Sequence, residues 1–453
     1  MKKSVKLIVA GAAVVSTLVA SASAANFDSA ADKLKALGLF QGGTAGYELD
    51  RAPTRAEAAT MLVRLLGKET EAKALTYSAP FTDLEDWQKP YVQYLYDNKL
   101  TTGATDTTFA PNDKCDAQMY TTMLLRALGH SDAAGGDFTY ATALDKGEEE
   151  GVVDAFNCDP TNFLRDHVAA MSYTTLAVQP KNSTSGTLLD KLVADGAVAK
   201  DKAADLQAFF KSYKDYAKAS EAYSKEGKMS AKMDITANVK SAGADMMKMS
   251  MTLDTAADMN LADLNKSKMA MTGTMKLELA KALVAAGEQS TMEMPYKVYY
   301  TDGNYYMNMS DQKIKMPMDF SSMQGMVDMT SYTTTGLVAI DSLKETTANG
   351  ATTYTVKFAP GAMNGMIANM MKSMNMEEVT GATTGLTFGD LTVASTLKDG
   401  KYTGMDMSMS MSVKAEGQSM DMTMTMKSAD MKFGNDVKVD LPTDLASYKA
   451  IGA

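Results

Sequence analysis

The stretch Pro53–Gly67, PTRAEAATMLVRLLG, decides how the first half of this chain folds. Thr54 is a good N-cap, and Glu57, three residues later, completes a capping box in which side chain and backbone exchange hydrogen bonds. Ala58, Met61, Leu62, Leu65 and Leu66 then recur at helical spacing, so one face is apolar. Gly67 closes the helix. A worn copy stands at 116–129, DAQMYTTMLLRALG, and a fainter one at 164–176, LRDHVAAMSYTTL. Each copy follows a shorter helical pattern and a loop, so the unit is two helices. One such unit cannot bury its apolar face alone, but three packed together can.

Outward from these copies, the chain divides into four parts. Residues 1–24 read as a secretory signal: Lys2, Lys3 and Lys6, an apolar run from Leu7, and Ala22-Ser23-Ala24 as the cleavage site. The three repeats occupy 25–180, a linker and helical spacer 181–228, and a different kind of domain 229–453. No later run is apolar enough to span a bilayer. Residues 26–180 carry 13 Lys+Arg against 23 Asp+Glu, and residues 181–453 carry 29 against 32. A surface of this sign excludes nucleic acid as a partner. An anionic ligand would need a local arginine pocket. Structural zinc wants four Cys/His ligands, and a chain with two of each in all nearly excludes it. Cys115 and Cys158 precede the second and third copies in similar places, which makes them candidates for a disulfide in an exported protein, with two buried thiols as the alternative.

From Met229 the period changes to two. Met247, Met249 and Met251 alternate with polar residues, as do Met405, Met407, Met409 and Met411, answered by Met420, Met422, Met424 and Met426. That is the pattern of antiparallel strands with one wet and one apolar face. Asp302-Gly303 and Asp399-Gly400 mark tight hairpin turns. Gly404, where the alternation changes parity, marks a bulge. Residues 361–374 and 320–329 read as helices against the apolar side. Of 39 methionines, 34 lie between 229 and 431. Core packing explains them most simply; an apolar ligand, Cu(I) and oxidant capture are the functional alternatives. In the spacer, Leu206, Phe210, Tyr213 and Ala217 form a helical stripe that packs on a neighbouring domain.

The quoted motifs resemble the S-layer homology (SLH) family. Its TRAE motif stands here as Thr54-Arg55-Ala56-Glu57, and FTDLEDW (Phe81–Trp87) and LRALG of the second unit fit the same pattern. The resemblance implies a pseudo-threefold α bundle whose inter-repeat grooves bind secondary cell-wall polysaccharide. Carried over position by position, it marks Thr54, Arg55 and Glu57, and Arg165 of the third copy, as polymer-binding residues. The second copy has Asp116 at the Thr position and lacks the Arg and Glu, and the third has His167 in place of Glu. A guanidinium at a helix start suits a sugar carboxylate. The methionine hairpins, YYTDGNYYMNM and the closing DVKVDLP resemble the half-barrel of the LolA and LppX lipoprotein carriers, which implies a curved antiparallel sheet wrapping helices and able to enclose lipid.

The expected fold is therefore multidomain α+β: a mainly α triple repeat, a helical spacer and a half-barrel sheet. No catalytic set, metal site or cofactor is implied. There is no GxSxG, HExxH or P-loop, and both histidines lie in the repeats. The expected protein is secreted, held on the wall by its repeats, and displays a sheet that is structural or binds an apolar, lipid-like ligand. A methionine-rich copper or oxidant buffer and a wall-glycan hydrolase are the rival readings.

Overall fold

The computed structural model describes residues 27–450, apart from 44, 155, 185, 225–226, 261, 286–288, 310–311, 319–335, 360–385 and 416–417. The signal sequence and the helices expected at 320–329 and 361–374 lie outside the described residues. The chain divides into two compact units. One comprises 24–213 together with 336–341, and the other 214–335 together with 342–453.

The first unit is helical. Its helices are α1 (Asp28–Ala36), α2 (Arg55–Leu65), α3 (Glu69–Lys73), α4 (Lys89–Asp97), α5 (Ala117–Ala127), α6 (Ala143–Glu149), α7 (Arg165–Thr175), α8 (Leu188–Ala194) and the start of α9 (Lys200–Ser224). The three 11-residue helices α2, α5 and α7 are the three sequence copies, and each touches the other two. The shorter helices close the ring. α4 packs on α2 and α6 on α5, while α1, first in the chain, packs on α7, last of the three. Each repeat thus leans on the one before it, and the first leans on the third. Leu62, Leu124, Met123 and Met171 meet in one continuous core, whose apolar burial is the main favourable term for a bundle of this kind.

The spacer differs from expectation. Thr187 caps α8 by exchanging hydrogen bonds with Asp190, and Leu188, Leu189 and Leu192 return to the helical core. Phe210 of α9 joins them, so the boundary between units falls inside α9, after Tyr213. The core has a second contributor from far along the chain. Leu337 and Val338 are buried in it, and the turn that carries them touches α7.

The second unit is a twelve-stranded, open and uncurled sheet. Its strands are β1 (Lys228–Ser241), β2 (Ala244–Asp258), β3 (Lys268–Leu279), β4 (Thr291–Thr301), β5 (Asn304–Met309), β6 (Gln312–Pro317), β7 (Ile340–Ala348), β8 (Ala351–Phe358), β9 (Leu386–Lys398), β10 (Lys401–Ala415), β11 (Gln418–Phe433) and β12 (Lys449–Ala450). The order is β12-β6-β5-β4-β3-β2-β1-β11-β10-β9-β8-β7. The whole chain is α+β as expected, but the sheet is open and, through the parallel β12–β6 pair, mixed, where a curved antiparallel half-barrel was expected. At Asp302-Gly303 and Asp399-Gly400 both turn residues have positive φ, the mirror-image turn whose twist suits a hairpin. The β9–β10 register shifts between Tyr402 and Gly404, where the parity change marked a bulge.

Register puts the methionines on one face. A single cross-strand row runs Met294–Met275–Met251–Ile235–Met426–Met407. Most of this face is half-buried. Met275 is the one described sheet methionine that is fully buried, while the other four buried methionines belong to the helical unit. On the opposite face, Tyr448 and Leu445 of the C-terminal segment cover Tyr299 and Tyr306.

Candidate functional site

The starts of the three long helices are built alike, and their differences locate the site. At α2 the capping box forms as the sequence implies: Glu57 N–H donates to Thr54 Oγ1 at 3.2 Å, and Thr54 N–H to the Glu57 carboxylate at 2.9 Å. The other first-turn donors go to the next repeat. Arg55 N–H donates to Asp113 O at 2.9 Å and Ala56 N–H to Pro111 O at 3.1 Å. α7 repeats this on the first repeat's loop. Arg165 N–H donates to Arg51 O at 2.9 Å and Asp166 N–H to Leu49 O at 3.1 Å. The side chains match too. Arg55 Nε donates to Phe109 O at 2.8 Å and Arg165 Nε to Tyr47 O at 3.1 Å. Each of those aromatics precedes a residue with positive φ, Ala110 and Glu48. The backbone groups that would greet an anion at a helix start are therefore already used to join repeats. A ligand at these starts meets side chains.

At the first–third joint the charges are internally satisfied. Glu57 receives Arg51 in a two-pronged contact of 2.8 and 2.5 Å, and Arg165 Nη1 lies 3.3 Å away. Burial would raise the Glu57 carboxyl, but the Arg51 hydrogen bonds, the Thr54 N–H and the Arg165 charge outweigh it and hold it at about 2. Arg165 is 6% exposed. Arg51 is a member of this cluster that sequence reading missed; its only signal is that it lies in the loop just before TRAE. His167 does the work of the missing Glu in the third copy, since its Nδ1 accepts the Leu164 N–H at 3.0 Å. Burial lowers its pKa, with Asp159 opposing. Beside it, burial raises Asp166 to about 7 although Phe27 N–H donates to it at 2.8 Å.

The first–second joint is different. Of five arginines, four meet a carboxylate: Arg51, Arg64, Arg126 and Arg165. Arg55 meets none among the described residues. Its guanidinium lies 5.1 Å from the Phe109 ring centre, with Nη1 against Met119 Sδ at 2.9 Å. Met119 holds the position where α2 has Glu57, so the second copy's loss of Glu is what leaves this cation unneutralised. Tyr140 stands within electrostatic reach of Arg55 and is 50% exposed. Nothing in the sequence singled it out. Thr54 and Glu57, both expected at the polymer, are occupied with the cap.

The cysteines are free thiols, Cys115 buried and Cys158 half-buried. The disulfide considered from their placement is not formed. Cys115 is held in the first–second joint, its N–H on Pro53 O, while Cys158 lies near Asp154 and Asp159 in the third repeat's loop.

Comparison with known proteins agrees with this division. Residues 215–448 match a family described as "Family of unknown function (DUF6612)", and residues 80–116 match the S-layer homology domain. The Middle cell wall protein of Brevibacillus brevis is 34% identical over 115 residues, 25% of this chain and 11% of that protein. The Surface layer protein of Brevibacillus choshinensis is 29% identical over 170 residues, 35% of this chain and 15% of that protein. The chain thus spans a small part of the length of these curated relatives. An endoglucanase of a Bacillus species is 29% identical over 20% of this chain. Among solved structures, LprF from Mycobacterium bovis aligns over 51% of this chain and 97% of its own, at 9% identity and a TM-score of 0.24.

Proposed function

This chain belongs to the DUF6612 family and is a wall-associated surface protein with an S-layer homology domain, and we propose that its helical unit holds it there by gripping an anionic wall polysaccharide at Arg55. The observation that carries this is the Arg55 guanidinium, which meets no carboxylate among the described residues, within electrostatic reach of the half-exposed Tyr140. A guanidinium pairs a sugar carboxylate or ketal acid through parallel N–H bonds, and an aromatic face packs on the apolar face of a pyranose. Arg165, buried on Glu57, acts here as a brace between repeats, with Thr54 and Glu57 shaping the joint. The sheet is then the displayed part of the molecule.

The test is retention of the full chain on purified cell wall. Arg55→Ala loses retention in this reading, Arg55→Lys keeps part of it, and Tyr140→Ala weakens it. Undiminished retention of Arg55→Ala overturns the assignment. Loss that is equal on walls stripped of acidic groups points to a neutral glycan and overturns it too.

A further inference from the structure

On two neighbouring strands, β10 and β11, three successive cross-strand pairs on one face carry a thioether on both sides. Met407 stands opposite Met426, Met409 opposite Met424, and Met411 opposite Met422. Side chains directly opposite have Cβ atoms about 5 Å apart, and the next pair along a strand is about 7 Å away. Methionine is unbranched with three rotatable bonds, so three sulfurs from adjacent pairs can converge on one atom without moving the backbone.

All six are half-exposed, so each thioether keeps part of its surface open. Strand preference, which favours Val, Ile and aromatic residues at such positions, does not account for the ladder. Those residues do occur where the same face passes onto β1: Ile235, Ala237 and Val239 oppose Met426, Met424 and Met422. Methionines also line this face on β2–β4, but only β10 and β11 set thioether against thioether at three successive pairs, although an apolar ligand would be served equally by Leu or Val. What six thioethers supply and aliphatic side chains cannot is soft, neutral, polarizable donation. Within the ladder, Asp406 and Asp421 have the opposite parity and point to the other face, as does Lys427 at its end. A bound cation therefore meets no like charge from within the ladder.

We propose that the β10–β11 ladder binds a soft monovalent cation of the Cu(I) class through three of the thioethers of Met407, Met409, Met411, Met422, Met424 and Met426. Both histidines and both cysteines lie in the repeats, so the sheet offers Cu(II) no imidazole or thiolate. The site is selective for the reduced ion. Thioethers do not titrate, so uptake is independent of pH between 5 and 8, unlike a site made of His, Cys or carboxylate. The proposal stands apart from the wall-binding reading, which concerns the other unit.

The test uses the full chain without oxygen, with Cu(I) held by a chromophoric chelator. The wild type withdraws at least one equivalent, equally at pH 5.5 and 7.5, and its X-ray absorption shows a sulfur-only shell. The variant Met407→Leu/Met409→Leu/Met424→Leu keeps side-chain volume, unfolds at the wild-type midpoint and loses the uptake. Ag(I), a redox-inert stand-in, behaves as Cu(I) does. Absence of withdrawal, a nitrogen or oxygen shell, or equal uptake by the triple variant overturns the proposal. So does a co-purified lipid that occupies the face and leaves no uptake after its removal.

Discussion

Replacing Glu57 with Gln removes one charge and little else, because the amide oxygen can still accept the Thr54 N–H. The wild-type carboxyl sits at about 2 against an ordinary 4.5. At about 1.4 kcal/mol per unit, that difference corresponds to roughly 3 kcal/mol of preference for the charged, folded state. The variant also takes from Arg165, whose side chain is 7% exposed, its ion-pair partner, leaving only the more distant Glu48. We expect Glu57→Gln to cost about 2–3 kcal/mol at pH 7, which lowers the midpoint of a unit this size by about 5–10 °C. Trp87, the only tryptophan, lies in the helical unit, so its fluorescence follows that unit alone. The folded-state value is depressed, so the contribution is present above 4.5 and is lost as pH falls toward 2. The gap between wild type and variant should therefore narrow to about half or less at pH 3 and close only below about 2. Glu57→Ala, which also removes the cap, should cost about 1 kcal/mol more at both pH values. A Glu57→Gln midpoint indistinguishable from wild type at pH 7, or a gap unchanged at pH 3, would refute the account of this cluster.

Three further outcomes use the same fluorescence. His167, lowered by burial, lends stability that is present above its ordinary 6.5 and lost as pH falls below it, so His167→Gln flattens the acid limb of the stability curve. Asp166 acts in the opposite sense: its raised value of about 7 gives stability that is full below the ordinary 3.8 and lost as pH rises through 7, a decline that Asp166→Asn removes. Leu337→Ala should weaken the helical unit by about 2–4 kcal/mol, because Leu337 is 2% exposed in its core. A midpoint shift seen only in the sheet's circular dichroism and not at Trp87 would contradict that.

Local chemistry was the legible part. The Thr54–Glu57 box is complete within four residues, and the period-two methionines, the Asp-Gly turns and the bulge at Gly404 are equally local. What escaped depends on partners distant in sequence. Arg51 matters because the third helix docks its backbone on the Arg51 carbonyl. Arg165 reads as a twin of Arg55, yet only one of them has Glu57 within reach. Tyr140 has no motif and gains meaning only beside Arg55. The boundary within α9 was hidden because a continuous 25-residue helix shows no break in pattern at Tyr213. The cysteines misled through symmetry: similar positions in two repeats end in different surroundings, Cys115 in the first–second joint and Cys158 in the third repeat's loop.

A six-residue stretch that runs into β7, Gly336–Asp341, completes with Leu337 and Val338 a core whose remaining members end at Tyr213. Exchange of such anchors by simple end-to-end recombination, or their use as a surface-display tag cut at Tyr213, would carry off an incomplete body with a bare apolar slot. A transferable anchor has to bring that short stretch with it, spliced back through a loop, and any replacement cargo has to be inserted ahead of that stretch.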